Sequence, residues 1–208
     1  MLLVKFLGEK IRLSLMAPST GSNKIKTAVF ISGAGSNLLS LIKFSKLKKS
    51  PISINLIISN NAKSTGLNYS KYFKIKKKIF NFDKKILAEK KILIELKKNK
   101  IDLICLAGFM KILSKNFIKN FKGVILNIHP SLLPKFKGLN THQRAIKNRE
   151  KFSGCTVHYV NSNLDSGKIV LQKKVRISKK ETSKSLKNKI LYQEHKLYPR
   201  AIKKIFNS

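Results

Sequence analysis

The sequence has 208 residues, of which 42% are hydrophobic; this suits one α/β domain with a real core and argues against two full domains. Every apolar run is shorter than the ~20 residues that a membrane-spanning helix needs, so we expect no membrane partner. The net charge of +36 would suit a nucleic-acid-binding protein, but only 5 of the 45 basic residues are arginine. Because arginine is preferred for bidentate phosphate and base recognition, we interpret the charge as a codon bias toward lysine and expect no specific nucleic acid partner.

The N-terminus, residues 1–24, is expected to be an extension that precedes the domain at 25–208. Charged side chains such as Lys5 and Arg12 interrupt its apolar stretch, which argues against a secretory signal peptide. Two alternatives stay open: an organelle presequence, or a start codon assigned too early, with Met16 as the real start. We expect a cytoplasmic protein unless the extension is a presequence.

Strands and helices alternate through the first two thirds of the domain. Apolar and β-branched runs predict the strands, helical spacing predicts the helices, and Asp83 and Ser114 are suitable N-caps. This alternation predicts a parallel sheet with right-handed crossovers. The predicted strands are 26–32, 52–59, about 78–80, 101–107 and 123–127, and the helices are 38–47, 66–72, 83–99 and 114–119. The inner face of the helix at 83–99 is predicted to carry Ile86, Leu87, Leu93, Ile94 and Leu96.

The last third of the domain adds a different pattern. A helix is predicted at 141–148, two strands at 155–160 and 168–175 that read as antiparallel additions, and a long helix at 182–206, bent or restarted at Pro199. The expected fold is a single α/β domain with a Rossmann-like, mostly parallel twisted sheet and helices on both faces. Cys105 and Cys155 lack ligand-like spacing, so we expect reduced thiols and no metal site.

Three polar segments follow predicted strands and should meet at one sheet edge, where sites collect in such folds. They are the glycine loop at 33–37, the segment after Gly108, and the stretch Asn127-Ile128-His129-Pro130. Asn127 and His129 are two residues apart and therefore point to the same face. A carboxamide and an imidazole before a proline-stiffened loop are suited to proton transfer and oxyanion binding.

The glycine loop lies between a strand and a helix, where backbone N–H groups can bind an anion. It lacks the third glycine of a dinucleotide fingerprint and the Gly-Lys-Ser/Thr of a P-loop. A small phosphate monoester is therefore a better ligand than NAD or ATP, and a purely structural turn is the alternative.

Other ionisable residues admit two interpretations each. Asp165 lies in a turn and is either an ordinary turn residue or a partner that raises the pKa of His129; nothing in the spacing brings the two together. Glu194 is either a solvated helix acid or a contact for a substrate amine. His142 and His158 are interpreted as structural or supporting residues, and His195 as a surface residue.

Taken together, the motifs resemble the folate-dependent phosphoribosylglycinamide formyltransferases, in the same order and over about residues 26 to 205. The Asn-Ile-His-Pro-Ser-Leu-Leu-Pro stretch is shared by several folate formyltransferases, and the Gly-Ser-Asn loop narrows the match. The segments that carry the resemblance are Phe30 to Leu38, Leu106 to Leu113, Asn127 to Pro134, Leu164 to Gly167 and Gln193 to His195.

This resemblance implies formyl transfer from 10-formyltetrahydrofolate to the amine of glycinamide ribonucleotide (GAR), with small-molecule substrates, no metal and no covalent enzyme intermediate. It implies that Asn127 and protonated His129 hold the oxyanion and that Asp165 tunes His129. GAR would be bound by Gly35, Ser36, Asn37 and Glu194. The folate would be bound by Lys85, Met110, Lys111, Ile112, Leu113, Asn127, Asn161, Leu164 and Asp165.

Lys85 and Lys111 depart from the family, whose members commonly carry arginine there, and a lost bidentate contact would weaken folate binding. Alternatives to the main interpretation are another folate formyl enzyme, such as a formyltetrahydrofolate deformylase, and a basic nucleic-acid-binding protein. A methionyl-tRNA formyltransferase would need a further tRNA-binding domain. The choice between monomer and homodimer stays open.

Overall fold

A computed structural model describes residues 24–206, so the extension predicted for 1–24 lies outside the described residues except for its last one. The strands are β1 (Ile25–Ile31), β2 (Ile52–Ser59), β3 (Lys76–Ile79), β4 (Leu103–Leu106), β5 (Val124–His129), β6 (Phe152–Tyr159) and β7 (Ile169–Arg176). The helices are α1 (Ser36–Ser45), α2 (Asn68–Phe73), α3 (Lys85–Lys98), α4 (Lys115–Asn120), α5 (Thr141–Lys147) and α6 (Ser183–Phe206), with a 3₁₀ turn at Thr65–Leu67.

All seven strands form one sheet in the order β3-β2-β1-β4-β5-β6-β7. The pairs from β3 to β5 are parallel, whereas β5–β6 and β6–β7 are antiparallel, which confirms the predicted architecture. Successive side chains of β1 point to opposite faces, so Val29 and Ile31 pack into one core with α1 and α6, and Ala28 and Phe30 into a second core with α3 and α4. Helices therefore cover both faces.

Of the two predicted N-caps, one is confirmed and one is wrong. Ser114 accepts a hydrogen bond from the Phe117 N–H at 3.0 Å and caps α4. Asp83 does not cap α3, which begins at Lys85 without a side-chain cap. The Asp83 carboxylate instead accepts from the Asn81 amide at 2.7 Å, a local bond that competes with capping.

The inner face predicted for α3 is wrong for Ile86, Leu87 and Ile94, whose exposed fractions are 70%, 47% and 67%. The prediction is confirmed for Leu96, which is buried, and Leu93 is partly buried against the core; the rest of the buried face is Ala88, Glu89 and Ile92. The Glu89 carboxylate accepts hydrogen bonds from both the N–H and the hydroxyl of Ser114. The Ser114 hydrogen bonds thus satisfy the one carboxylate on the buried face of α3.

Helix α6 is continuous through Pro199 rather than restarted there. The adjacent Tyr198 is fully buried, and its hydroxyl lies 3.2 Å from the carbonyl oxygen of Leu106 and 3.0 Å from that of Leu126. This hydroxyl fastens the helix to β4 and β5, the central strands of the sheet.

At one edge of the sheet, β3 exposes all four of its side chains, including Lys76, Lys77 and Lys78. Lys76 makes an ion pair with Glu95 of α3. Among residues 24–206, no helix is both long enough and apolar enough to cross a membrane.

Candidate active site

The carboxyl end of β5 brings four polar side chains together. In the antiparallel register, Asn127 lies opposite His158 and His129 lies opposite Thr156. Cross-strand partners share one face of a sheet, so β6 supplies half of this group. His129, Thr156 and His158 are buried and Asn127 is half-buried.

Asp165, 36 residues after His129, reaches it from the turn between β6 and β7. Asp165 Oδ2 lies 3.3 Å from His129 Nδ1 and accepts a hydrogen bond from the Gly138 N–H at 2.9 Å. Burial acts to raise the pKa of Asp165, but the ring of His158, the Gly138 N–H and the charge of His129 together hold it below its ordinary value. Asp165 is therefore a carboxylate at neutral pH.

The turn that carries Asp165 depends on Gly167 and Asn161. A Cβ at position 167 would lie 1.7 Å from the Tyr159 carbonyl oxygen, so only glycine fits. The Asn161 side-chain oxygen accepts from the Asn163 N–H at 3.0 Å. Asn161 thus shapes the turn, and Leu164 is left 49% exposed at its tip.

Both ring nitrogens of His129 face acceptors. Nε2 lies 2.9 Å from the Phe136 carbonyl oxygen, and because a carbonyl only accepts, Nε2 carries a hydrogen. Burial lowers the pKa of His129, and this outweighs the Phe136 carbonyl and the charge of Asp165, both of which raise it. The expected rise in the pKa of His129 is therefore wrong. Burial destabilises the imidazolium by more than the Phe136 carbonyl and the Asp165 carboxylate stabilise it.

His158 lies behind the site and orients Asn127. Its Nδ1 lies 2.9 Å from the Tyr159 carbonyl oxygen, and its Nε2 lies 3.6 Å from Asp165 Oδ1. Nε2 is 3.2 Å from Asn127 Nδ2, and the same amide nitrogen lies 3.4 Å from Asp165 Oδ1. These contacts fix which end of the carboxamide faces His158.

The glycine loop meets the N-terminus of α1. Gly35 adopts φ +70°, a left-handed conformation that favours glycine, immediately before the helix. Gly66 packs against the loop, and its N–H donates a hydrogen bond to the Gly33 carbonyl at 3.1 Å. Ser36 and Asn37 are the first residues of α1, where backbone N–H groups lack partners within the helix. These features suit a phosphate.

Asn37 and Glu194 join α1 to α6 within this region. The Asn37 amide donates to Glu194 Oε2 at 2.6 Å, and both side chains are buried. Burial raises the pKa of Glu194, although the Asn37 bond and the charge of Lys187 oppose the rise. The other amide atom, Asn37 Oδ1, is buried without a hydrogen-bond partner among the described residues.

The segment after Gly108 is held against the glycine loop and is largely exposed. The Met110 N–H donates to Ser32 Oγ at 2.8 Å, and Met110 and Ile112 are 64% and 63% exposed. Lys111 is also exposed, whereas Leu113 is buried and packs into the second core.

Lys85 lies on a groove of about 640 Å³ at the start of α3. Phe82, which directly precedes the groove residues, packs against Phe109 of the segment after Gly108, and their ring centroids are 5.5 Å apart. The groove is lined by Asp83, Lys84, Lys85, Ile86, Leu87 and Lys90.

Two further histidines flank the site without joining its hydrogen bonds. His142 Nδ1 and His195 Nε2 are buried and lack partners among residues 24–206, and burial lowers both pKa values. His195 is half-buried rather than on the surface, and its carbonyl accepts from Ser40. Cys105 and Cys155 are buried free thiols whose pKa burial raises to about 12. In the described part of the chain, no three His, Cys, Asp or Glu side chains converge to hold a metal ion.

Several groups of the site have no signal in the sequence. The Phe136 carbonyl and the Gly138 N–H are backbone atoms, and the role of Thr156 follows only from its register opposite His129. The only one of these groups that the sequence marks is Gly138, whose φ of +78° is a conformation that favours glycine.

Comparison with known proteins places the whole described domain in one family. The family model described as "Formyl transferase" matches residues 25–202. Phosphoribosylglycinamide formyltransferase of Haemophilus influenzae is 43% identical over 181 residues, which are 86% of this chain and 85% of that protein. The human trifunctional purine biosynthetic protein adenosine-3 is 39% identical over 182 residues, and the chain spans 18% of its length.

Solved structures agree with the sequence relatives. The crystal structure of phosphoribosylglycinamide formyltransferase from Brucella melitensis superposes with a TM-score of 0.83 at 41% identity, covering 88% of this chain and 95% of that one. The protein of that name from Anaplasma phagocytophilum gives a TM-score of 0.82 at 41% identity, covering 87% and 86% of the two chains.

Proposed function

The chain belongs to the formyl transferase family, and from this premise we propose that it transfers a formyl group from 10-formyltetrahydrofolate to the primary amine of GAR, a step of purine biosynthesis. A folate-derived formyl donor follows from the family. We further propose that the donor is the 10-formyl form of the folate. We also propose that the amine attacks it directly, without a metal or a covalent enzyme intermediate.

One observation carries the mechanism: at the end of β5, Asp165 contacts both His129 and Asn127, whose side chains point to the same face. Formyl transfer to an amine needs a donor for the oxyanion and a group that moves one proton from the attacking nitrogen to the leaving nitrogen. A carboxamide, an imidazole of lowered pKa and a carboxylate are suited to these tasks.

We assign the proton transfer to His129 Nδ1. Nε2–H is bound by the Phe136 carbonyl, which fixes the ring and its tautomer and leaves Nδ1 as the basic nitrogen. As the amine forms its bond to the formyl carbon, its proton passes to Nδ1, and the neighbouring Asp165 carboxylate stabilises the imidazolium. The proton then passes to N10 of the folate as the old carbon–nitrogen bond breaks.

Asn127 is suited to donate a hydrogen bond to the oxyanion of the tetrahedral intermediate, and the positive charge of protonated His129 would stabilise that oxyanion electrostatically. The contact of Asn127 Nδ2 with Asp165 is long at 3.4 Å, so one amide hydrogen is readily given up to a stronger acceptor. The charge that develops on His129 appears at the same step as the negative oxygen, which stabilises the transition state more than the ground state.

The remaining parts of the site are assigned to the two small-molecule substrates. The backbone at Gly35, Ser36 and Asn37 would bind the GAR phosphate, and Glu194, beside Asn37, the ribose or glycinamide end. The exposed Met110, Lys111 and Ile112, the turn at 161–165 and Lys85 would bind the folate.

The test is to incubate the purified protein with GAR and a 10-formyl folate and to follow loss of the formyl donor with and without GAR. The proposal predicts donor loss that requires GAR and yields one formyl-GAR per donor consumed. Donor loss without GAR would instead indicate a deformylase, and no turnover would contradict the enzyme assignment.

A further inference from the structure

We infer that Thr156 and Gln172 are positioning residues for the His129–Asp165 pair, because their hydrogen bonds fasten the loop at 130–138 that contacts both. The inference builds on the proposed function, in which that pair moves the proton. Neither residue belongs to the motifs that carry the family resemblance.

Thr156 lies beneath the loop, fully buried, with every hydrogen-bonding position of its hydroxyl in use. Oγ1 donates to the Ser131 carbonyl at 2.7 Å and accepts from the Leu133 N–H at 3.2 Å. It also accepts from the Gln172 amide at 2.8 Å. A hydroxyl has one hydrogen and two lone pairs, so this set of hydrogen bonds is complete.

Gln172 reaches the same loop from β7. Its Nε2 donates one hydrogen to the Leu133 carbonyl at 2.9 Å and the other to Thr156 Oγ1. Since a carbonyl only accepts, the amide orientation is fixed. Thr156 and Gln172 thus bind both the N–H and the carbonyl of Leu133.

The far end of this loop supplies the groups that the active pair needs. Ser131 Oγ donates to the Lys135 carbonyl at 2.6 Å and links the fastened part to the next residues. These lead directly to the Phe136 carbonyl on His129 Nε2 and the Gly138 N–H on Asp165. Phe136 has φ +56°, a conformation that a non-glycine residue keeps only when its surroundings hold it.

Release of the loop at 130–138 would therefore free the His129 ring and leave the residues assigned to GAR binding, the glycine loop and Glu194, in place. The glycine loop connects β1 to α1, and Glu194 lies on α6; within residues 24–206, the side-chain hydrogen bonds of Thr156 and Gln172 do not reach them. The expected signature is a lower kcat with little change in the KM for GAR. A displacement of about 1 Å at a catalytic group costs up to about 100-fold in rate.

The decisive pair of variants is Thr156→Val and Thr156→Ser. Valine keeps the shape and removes the hydroxyl, and we expect its kcat to fall by about 10- to 100-fold with the KM for GAR within about twofold of wild type. Serine keeps the hydroxyl, and we expect it to retain kcat within about threefold. Equal loss in both variants, or wild-type kcat in Thr156→Val, would overturn the inference.

A second readout does not depend on turnover. In ¹⁵N NMR spectra of the free protein, His129 is expected to show a hydrogen on Nε2, and this signature should be lost in Thr156→Val and kept in Thr156→Ser. If wild type fails to formylate GAR but the spectra change in this way, the proposed function is wrong and the positioning role stands. Unchanged spectra in Thr156→Val refute the positioning role whatever the activity.

Gln172→Leu provides an independent variant if Thr156→Val does not fold. It removes two bonds at an edge strand, and kcat should fall without a matching rise in the KM for GAR. Lys174→Gln, two residues along the same strand, is the matched control and should behave as wild type. In a double variant, the losses from Thr156→Val and Gln172→Leu should be less than additive, and full additivity would contradict a shared network.

Discussion

His129 Nδ1 faces Asp165 Oδ2 at 3.3 Å, yet the pKa of the imidazole lies below its usual value because the ring is buried. A neutral imidazole therefore stands beside an ionised carboxylate in the free protein. In this arrangement His129 accepts a proton during the reaction and does not carry one beforehand. The pH dependence of the rate therefore tests the role of His129 as the base.

We expect kcat/KM to fall as the pH drops through the lowered pKa of His129, because a protonated Nδ1 cannot accept the amine proton. The fall therefore lies below pH 6.5, the ordinary value for histidine. Asp165→Asn removes a contribution that raises this pKa, so the acid limb should move to lower pH while kcat falls by about 10²–10⁴. Rate profiles of both proteins from about pH 5 to 8 measure this, and an acid limb that does not move in Asp165→Asn would contradict it.

Glu194→Gln is expected to separate stability from substrate binding. The raised pKa of Glu194 means that its ionised form costs stability, so wild type loses stability as the pH rises from 4.5 through the folded pKa. The glutamine variant lacks this loss and should be the more stable protein at neutral pH, with the advantage fading toward pH 4.5. The KM for GAR should rise about tenfold, as for one lost charged hydrogen bond. Urea unfolding at several pH values is the measurement; a variant less stable than wild type at neutral pH would refute the sign.

Gly66→Ala is expected to disturb the glycine loop alone. A Cβ at position 66 would lie 2.8 Å from Ile31 Cδ1 and 3.0 Å from both the Gly33 carbonyl oxygen and Gly35 Cα. Since the backbone atoms must shift, the KM for GAR should rise about tenfold or more, with kcat at saturating GAR largely kept. The KM for the folate serves as the internal control, and an equal rise in both would show a global defect.

Tyr198→Phe tests how α6 is fastened to the sheet. It leaves two buried carbonyls, those of Leu106 and Leu126, without this donor, so unfolding free energy should drop by about 1–3 kcal/mol. Tyr192, 57% exposed on the same helix, gives the matched control, and Tyr192→Phe should change stability by less than about 0.5 kcal/mol. Equal stability losses in the two variants would contradict the role of the buried hydroxyl.

The strands and the placement of Asn127 and His129 could be predicted because they depend on local periodicity. A β-branched run predicts a strand, and polar residues two apart at its end point to the same face. In a parallel sheet, the carboxyl ends of the strands then form the edge that carries the site. The contact between His129 and Asp165 could not be predicted this way. It depends on the β5–β6 register and on a turn that closes only because position 167 has no side chain.

The errors have a common physical origin, which is competition between local and tertiary contacts. Asp83 occupies an N-cap position, but its carboxylate accepts a hydrogen bond from Asn81 instead. Ile86 and Ile94 are apolar but exposed, whereas the charged Glu89 is buried. The pKa of His129 was expected to follow its charged neighbour, whereas burial, which depends on the whole fold, decides its direction.

The exposed strand β3 has a consequence for how copies of this protein meet. An edge strand offers unpaired backbone groups to any second strand, but Lys76, Lys77 and Lys78 would face the same lysines of an incoming copy. Like charges directly opposite each other oppose pairing, and one nearby carboxylate, Glu95, is already bound to Lys76. The lysines of β3 thus oppose extension of the sheet by a second copy at this edge.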